Sequence, residues 1–189
     1  MLSMFDVLAR LAARRPRAAA PKAEAAPQAE EDREAYSRGL AALSAGRHEE
    51  ALAAFEAALE GISGGRASAS AGHEGAPAGR ERARIENKRG VALIALRRAA
   101  EARAAFQAAL EAHAAFAPPL VNLGNLELEE DRTAEAIAYY ERAIAADPEY
   151  APAYLHFGIA CKRSGRRAEA VRHFRTAARL EARGDRSER

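Results

Sequence analysis

Five histidines and one cysteine are the side chains of this 189-residue sequence best suited to hold a metal or attack an electrophile. Their spacing favours neither. His48, His73, His113, His156 and His173 are scattered, and none has another histidine four residues away, the separation that puts two imidazoles on one helix face. His156 and Cys161 are five residues apart, a poor fit to one face. Gly61, Gly64 and Gly65 lack the strand–loop–helix setting of a phosphate cradle. Glu127, Glu129 and Glu130 read as a solvated helix surface. No catalytic residue, metal site or cofactor is expected, and the sequence reads as non-enzymatic.

The elements that carry these residues are set by composition. Alanine supplies much of the 49% hydrophobic content, and the aromatics are five Tyr and six Phe with no Trp. Alanine is the best helix former, so an all-α chain is expected, its core made by close backbone approach rather than by bulky side chains. The formal net charge is +2, with acids and bases interleaved, which reads as a solvated surface and not as a nucleic-acid stripe. Arginine far exceeds lysine, found only at Lys22, Lys88 and Lys162, so single arginines carry little weight. Cys161 stands alone, which excludes an internal disulfide framework and fits a cytoplasmic protein.

At the amino terminus Asp6 and Arg10 interrupt any apolar run, so neither a signal peptide nor a membrane span is expected. Leu2, Phe5, Val7, Leu8 and Leu11 give a short amphipathic helix, with Arg10, Arg14, Arg15 and Arg17 beside or beyond it. The helix has some transit-peptide character, and contact with a membrane surface through residues 2–15 is conceivable but not favoured. Pro16, Pro21 and Pro27 turn the rest of residues 1–31 into a partly disordered Ala/Pro-rich linker.

Beyond residue 32 the chain repeats. Gly90, Gly124 and Gly158 are 34 residues apart; so are Ala102, Ala136 and Ala170; so are Phe106, Tyr140 and Phe174; so are Ala109, Ala143 and Ala177. An earlier copy carries Gly39, Ala51, Phe55 and Ala58, displaced by an extra Gly/Ser/Ala-rich stretch between Gly61 and Gly79. In each unit one helix ends at a turn, marked by Gly46 and Gly165, whose glycines suit the left-handed conformation. A second helix follows, stopped in one unit by Asp147-Pro148. Small residues let the two helices approach, the aromatic fills the space beside them, and the pairs must stack to bury their apolar faces.

These residues resemble the tetratricopeptide repeat, a 34-residue helix–turn–helix. The small residue at the motif's eighth position, alanine at the twentieth and twenty-seventh, and the aromatic at the twenty-fourth occur in all four copies. The bulky residue at the fourth is Leu120 and Tyr154 in the last two copies but Ala35 and Glu86 in the first two. The resemblance implies an α-solenoid of about four repeats in a right-handed superhelical stack. The repeats are 32–65, 83–116, 117–150 and 151–184, with an insertion at 66–82 that detaches the first and a tail at 185–189. It also implies that Cys161 is a buried thiol on a first helix.

In such repeats the first helices line a concave groove that binds a partner. The positions that face the ligand there give Tyr36, Arg84, Asn87, Lys88, Asn122, Asn125, His156, Lys162 and Arg163, a net basic set with amides suited to an extended peptide backbone. Asn122 and Asn125 are the sharpest candidates, since asparagine costs helix propensity. Of the lysine–asparagine–arginine clamp that grips the acidic tails of chaperones, only Asn122 matches. The expected function is therefore an interaction adaptor or scaffold that holds an acidic or mixed peptide of another protein, with nucleic acid not expected. The alternative is a structural or assembly factor that forms homo-oligomers through an apolar edge at Val171, Phe174 and Ala178, or docks to a membrane complex through the amino-terminal helix.

Overall fold

The structure, a computed structural model, describes residues 25–66 and 77–187. The expected helix at residues 2–15 and the middle of the insertion lie outside the described residues. Those described form eight α-helices and no strand. They are α1 (Ala25–Ser44), α2 (His48–Arg66), α3 (Pro77–Ala95), α4 (Ala99–Ala112), α5 (Ala117–Glu129), α6 (Thr133–Ala146), α7 (Ala151–Arg163) and α8 (Arg167–Ser187). They pair as α1/α2, α3/α4, α5/α6 and α7/α8, and each pair packs on the next. Local sequence accounts for the starts of α5 and α7, where proline occupies the first turn and sacrifices no intrahelical bond.

Four tight turns join the helices within pairs, and all use a left-handed residue. Gly46 (φ 74) and Gly165 (φ 77) fill that place in the outer pairs, as expected. In the inner pairs the same register holds Arg97 (φ 62) and Asp131 (φ 59). A non-glycine there costs roughly 1 kcal/mol, and the backbone hydrogen bonds that close the turn, Arg98 N–H to Leu93 O at 2.9 Å and Arg132 N–H to Glu127 O at 2.9 Å, hold it.

Within each pair the aromatic ring lies on the glycine rather than beside it. A Cβ added at Gly124 would meet Tyr140 at 2.6 Å, and one at Gly158 would meet Phe174 at 2.5 Å. Phe55, Phe106 and Tyr140 are wholly buried, as are Ala51, Ala102 and Ala136 and, two helix turns further on, Ala58, Ala109 and Ala143. Two clusters make the core, one running from α1 into α5 through Leu123 and Leu126 and one from α5 to α8, with Leu110 and Tyr139 touching both.

The first pair is not detached. α2 packs directly on α3, and Phe55, Leu52 and Ile62 share one buried cluster with Ile85, Leu93 and Phe106. The two helices that flank the insertion reach Arg66 and begin at Pro77, inside its expected bounds. The division at 32–65, 83–116, 117–150 and 151–184 is our proposal for the repeat unit; α1 and α8 run past it, to Ala25 and Ser187.

Candidate functional site

The first helices of successive pairs adjoin: α1 meets α3, and α5 meets α7. Between α1, α3 and α5 they leave a recess of about 310 Å³. Tyr36, Arg84, Asn87, Lys88 and Asn122 all line it, so five of the nine groove candidates come together. Val91, Phe116, Pro118 and Tyr150 complete the wall. Pro118 carries no hydrogen-bonding side chain, so its residue type does not mark it as a groove position. Phe116 and Tyr150 stand at the last position of a repeat, so their partial exposure here is a matter of tertiary placement.

The amides form a ladder across two pairs. Asn122 Nδ2 donates to Asn87 Oδ1 at 3.0 Å, which ties α5 to α3. Asn87 is only 6% exposed, so its function is first to hold the recess floor. Arg84 and Lys88 stand above that floor, and among the described residues neither has an ion pair. Their situation differs from that of Arg47, Arg98, Arg103, Arg132 and Arg166, all of which are matched to a glutamate. The recess thus combines two unmatched cations, amide groups and aromatic walls, chemistry that fits carboxylates on an extended chain.

The other candidates are placed elsewhere and are already engaged. The Tyr140 hydroxyl donates to Asn125 Oδ1 at 2.8 Å, so this asparagine satisfies a buried phenol whose pKa burial pushes up. His156 stacks on Tyr140 at 6.1 Å, and burial holds its pKa below the ordinary value. Arg163 Nη1 donates to the Leu128 carbonyl at 2.5 Å, closing α7 on α5. Lys162 is exposed, outside the recess. Asn122 and Asn125, marked by their low helix propensity, each have a side-chain partner, 35 and 15 residues away, too far to be legible locally.

Glu127 corrects an expectation. It is buried, not solvated, and accepts from Arg132 and Arg103. The hydrogen bond from Arg132 is the main reason its carboxyl is held below the ordinary range, with Arg103 adding to it against the effect of burial. Glu130 accepts from Arg103 at 2.8 Å and completes the network between α4 and α5. Glu86 is buried as well, 3.3 Å from Arg89 Nε, and burial raises its pKa.

Phe174 corrects another. Its ring lies over Gly158 inside its own pair, so of the expected edge only Val171, 47% exposed, and the small Ala178 face outward. Cys161 is wholly buried, and burial raises its thiol pKa. Among the described residues no cluster of three His, Cys, Asp or Glu side chains is placed to hold a metal, and no helix is long and apolar enough to cross a membrane.

Solved structures share this architecture. The chain is similar to MamA (20% identity, 82% of this chain and 81% of that one, TM-score 0.60). It is similar to PilF of Pseudomonas aeruginosa (20% identity, 82% and 63%, TM-score 0.65). It is also similar to the second TPR of Spaghetti (RPAP3), solved with the HSP90 peptide SRMEEVD (25% identity, 53% and 94%, TM-score 0.50). No curated protein sequence matches the chain. A tetratricopeptide repeat family model matches residues 7–71 and 87–151, and a second matches residues 127–186. With the helix pairs, the buried aromatic-on-glycine contacts and these matches together, the chain belongs to the tetratricopeptide repeat family.

Proposed function

We propose that this protein is a non-enzymatic interaction adaptor that holds an extended, acidic or mixed peptide segment of another protein in the recess between α1, α3 and α5. The observation that carries this reading is the pair of unmatched cations, Arg84 and Lys88, over the Asn87–Asn122 amide ladder. In water an exposed cation gains little from one carboxylate, but amide and aromatic neighbours fix the geometry and exclude part of the solvent. The peptide-bound RPAP3 domain supports the reading, since its ligand SRMEEVD is acidic. The chaperone-tail clamp itself is not proposed, because only Asn122 of that set is present here.

The test is affinity capture from the native extract with wild type and an Asn122→Ala/Lys88→Ala double variant, followed by titration of a peptide from the captured protein. A partner held by wild type and lost by the variant, with the helical fold retained by circular dichroism at the temperature of the capture, is the expected result. A partner retained by the variant would move the binding site out of the recess and overturn the proposal.

A further inference from the structure

The stack ends differently from how it is built. At each internal junction one register of the second helix lies under the next first helix: Leu52 is buried in the cluster with α3, Arg103 binds Glu127 of α5, and Ile137 packs in the cluster with α7. In the last pair that register is Val171, which nothing covers among the described residues. Beside it runs the outward face of the second helix. Its three exposed registers read Ala53, Ala104 and Ala138; Glu56, Gln107 and Glu141; Glu60, Glu111 and Ala145 in the first three pairs. In α8 they read Arg172, Arg175 and Arg179, all exposed and without an ion pair among the described residues.

This reversal matters because of what lies opposite. Every pair carries an arginine just after its turn: Arg47, Arg98, Arg132 and Arg166. Beyond its own bond to Glu101, Arg98 feels Glu49 and Glu56 of the preceding pair, and Arg166, beyond its bond to Glu169, feels Glu141. At two of the three internal junctions the preceding helix thus offers acid to the arginine of the next pair, and at the other the register holds the neutral Gln107. A second copy of this chain stacked on α8 would bring its Arg47 to Arg175, a like-charge contact. The chain's own first 24 residues are no better matched, with Arg10, Arg14, Arg15, Arg17 and Lys22 against Asp6 and Glu24.

We propose that the end face of α7 and α8, centred on Val171 and flanked by Arg172 and Arg175, docks an acidic amphipathic helix of a partner protein and rejects a second copy of this chain. The occupant is a helix because a helix covers this register at every internal junction. It carries an apolar residue for Val171 and acids where Arg98 and Arg166 stand within the chain. This surface is separate from the recess.

The probe is a helix-stapled, fluorescent peptide of residues 151–167 in its own basic form, and a second in which Lys162, Arg163, Arg166 and Arg167 are replaced by glutamate. Binding to the full chain is read by anisotropy. Wild type should bind the acidic peptide at least tenfold more tightly than the basic one. Arg172→Glu/Arg175→Glu should reverse that order, and Val171→Asp should weaken both, whereas Asn122→Ala/Lys88→Ala should change neither. Sedimentation gives the second readout: wild type stays monomeric, and Arg172→Glu/Arg175→Glu gains concentration-dependent self-association. Equal binding of the two peptides, binding of neither, or wild-type oligomers dispersed by Val171→Asp would each overturn the proposal.

Discussion

The junction between the second and third pairs and the junction between the third and fourth solve one packing problem with opposite chemistry. At the first, Arg103 reaches from α4 to Glu127 and Glu130 at the end of α5, with Arg132 closing the network. At the second, Ile137 packs in one apolar cluster with Phe157 and the wholly buried Cys161. Glu127 and Cys161 occupy the same register, 34 residues apart. One repeat scaffold therefore accepts either a matched charge or a small apolar group there, provided that the facing residue changes with it. Contact area alone does not set the junction; the pairing does.

The largest effect that would test this contrast is Cys161→Asp. It puts a carboxylate into the apolar junction, where Ile137 stands in the register of Arg103 and Arg166, in the register of Arg132, is already bound to Glu169. A cost of about 3–5 kcal/mol is expected, as for a buried charge without its own partner. Urea unfolding should show the loss, and hydrogen exchange should localise it to α7 and α8. At the charged junction Glu127→Gln should cost less, about 1–2 kcal/mol, because Arg103 and Arg132 are partly exposed and water can replace the lost charge. Arg103→Met with Glu127→Leu should restore stability to within about 1 kcal/mol of wild type. If that double variant proved as unstable as Cys161→Asp, the two chemistries would not be interchangeable.

The smallest effect is one of acidity, and it separates the junctions by pH. Burial lowers the pKa of His156, and burial is also the main cause for His173, which stacks on Phe157 at 4.1 Å. A histidine whose folded pKa is depressed takes up its proton more readily when unfolded. The stability it contributes is complete above the ordinary value of 6.5 and declines as pH falls below it. Glu127 and Glu130 have lowered pKa values, so their contribution is complete above 4.5 and is lost only as pH falls through their folded values. Hydrogen exchange at pH 7, 5.5 and 4 should therefore show the fourth pair loosening first and the α4/α5 contact later. Simultaneous loss at both junctions would contradict the assignment.

The same contrast explains what could be read before the fold was known. Period, pairing and burial of the aromatics follow from residues at fixed intervals, each requiring the same small neighbour in each unit. Gly46 and Gly165 marked two turns because glycine enters the left-handed conformation without a Cβ penalty. Arg97 and Asp131 gave no such signal, since their conformation is imposed by the helices on either side. Glu127 looked solvated because its partner Arg103 lies 24 residues earlier, on another pair. Of the groove candidates, the five in the recess share three neighbouring first helices, whereas Asn125, His156 and Arg163 were captured by Tyr140 and Leu128. Phe174 looked like an edge residue because the repeat ends there, but its register is internal to the pair.

Cys161 also gives the molecule a clock. It is the chain's single thiol, it sits at the seam between α6 and α7, and burial suppresses its ionisation. A disulfide reagent can reach it only when that seam opens, so its labelling rate counts openings of the last pair against a background of zero from elsewhere. A ligand that grips the recess, on the far side of the α5/α6 pair, should leave that rate unchanged. A helix seated against Val171 should slow it.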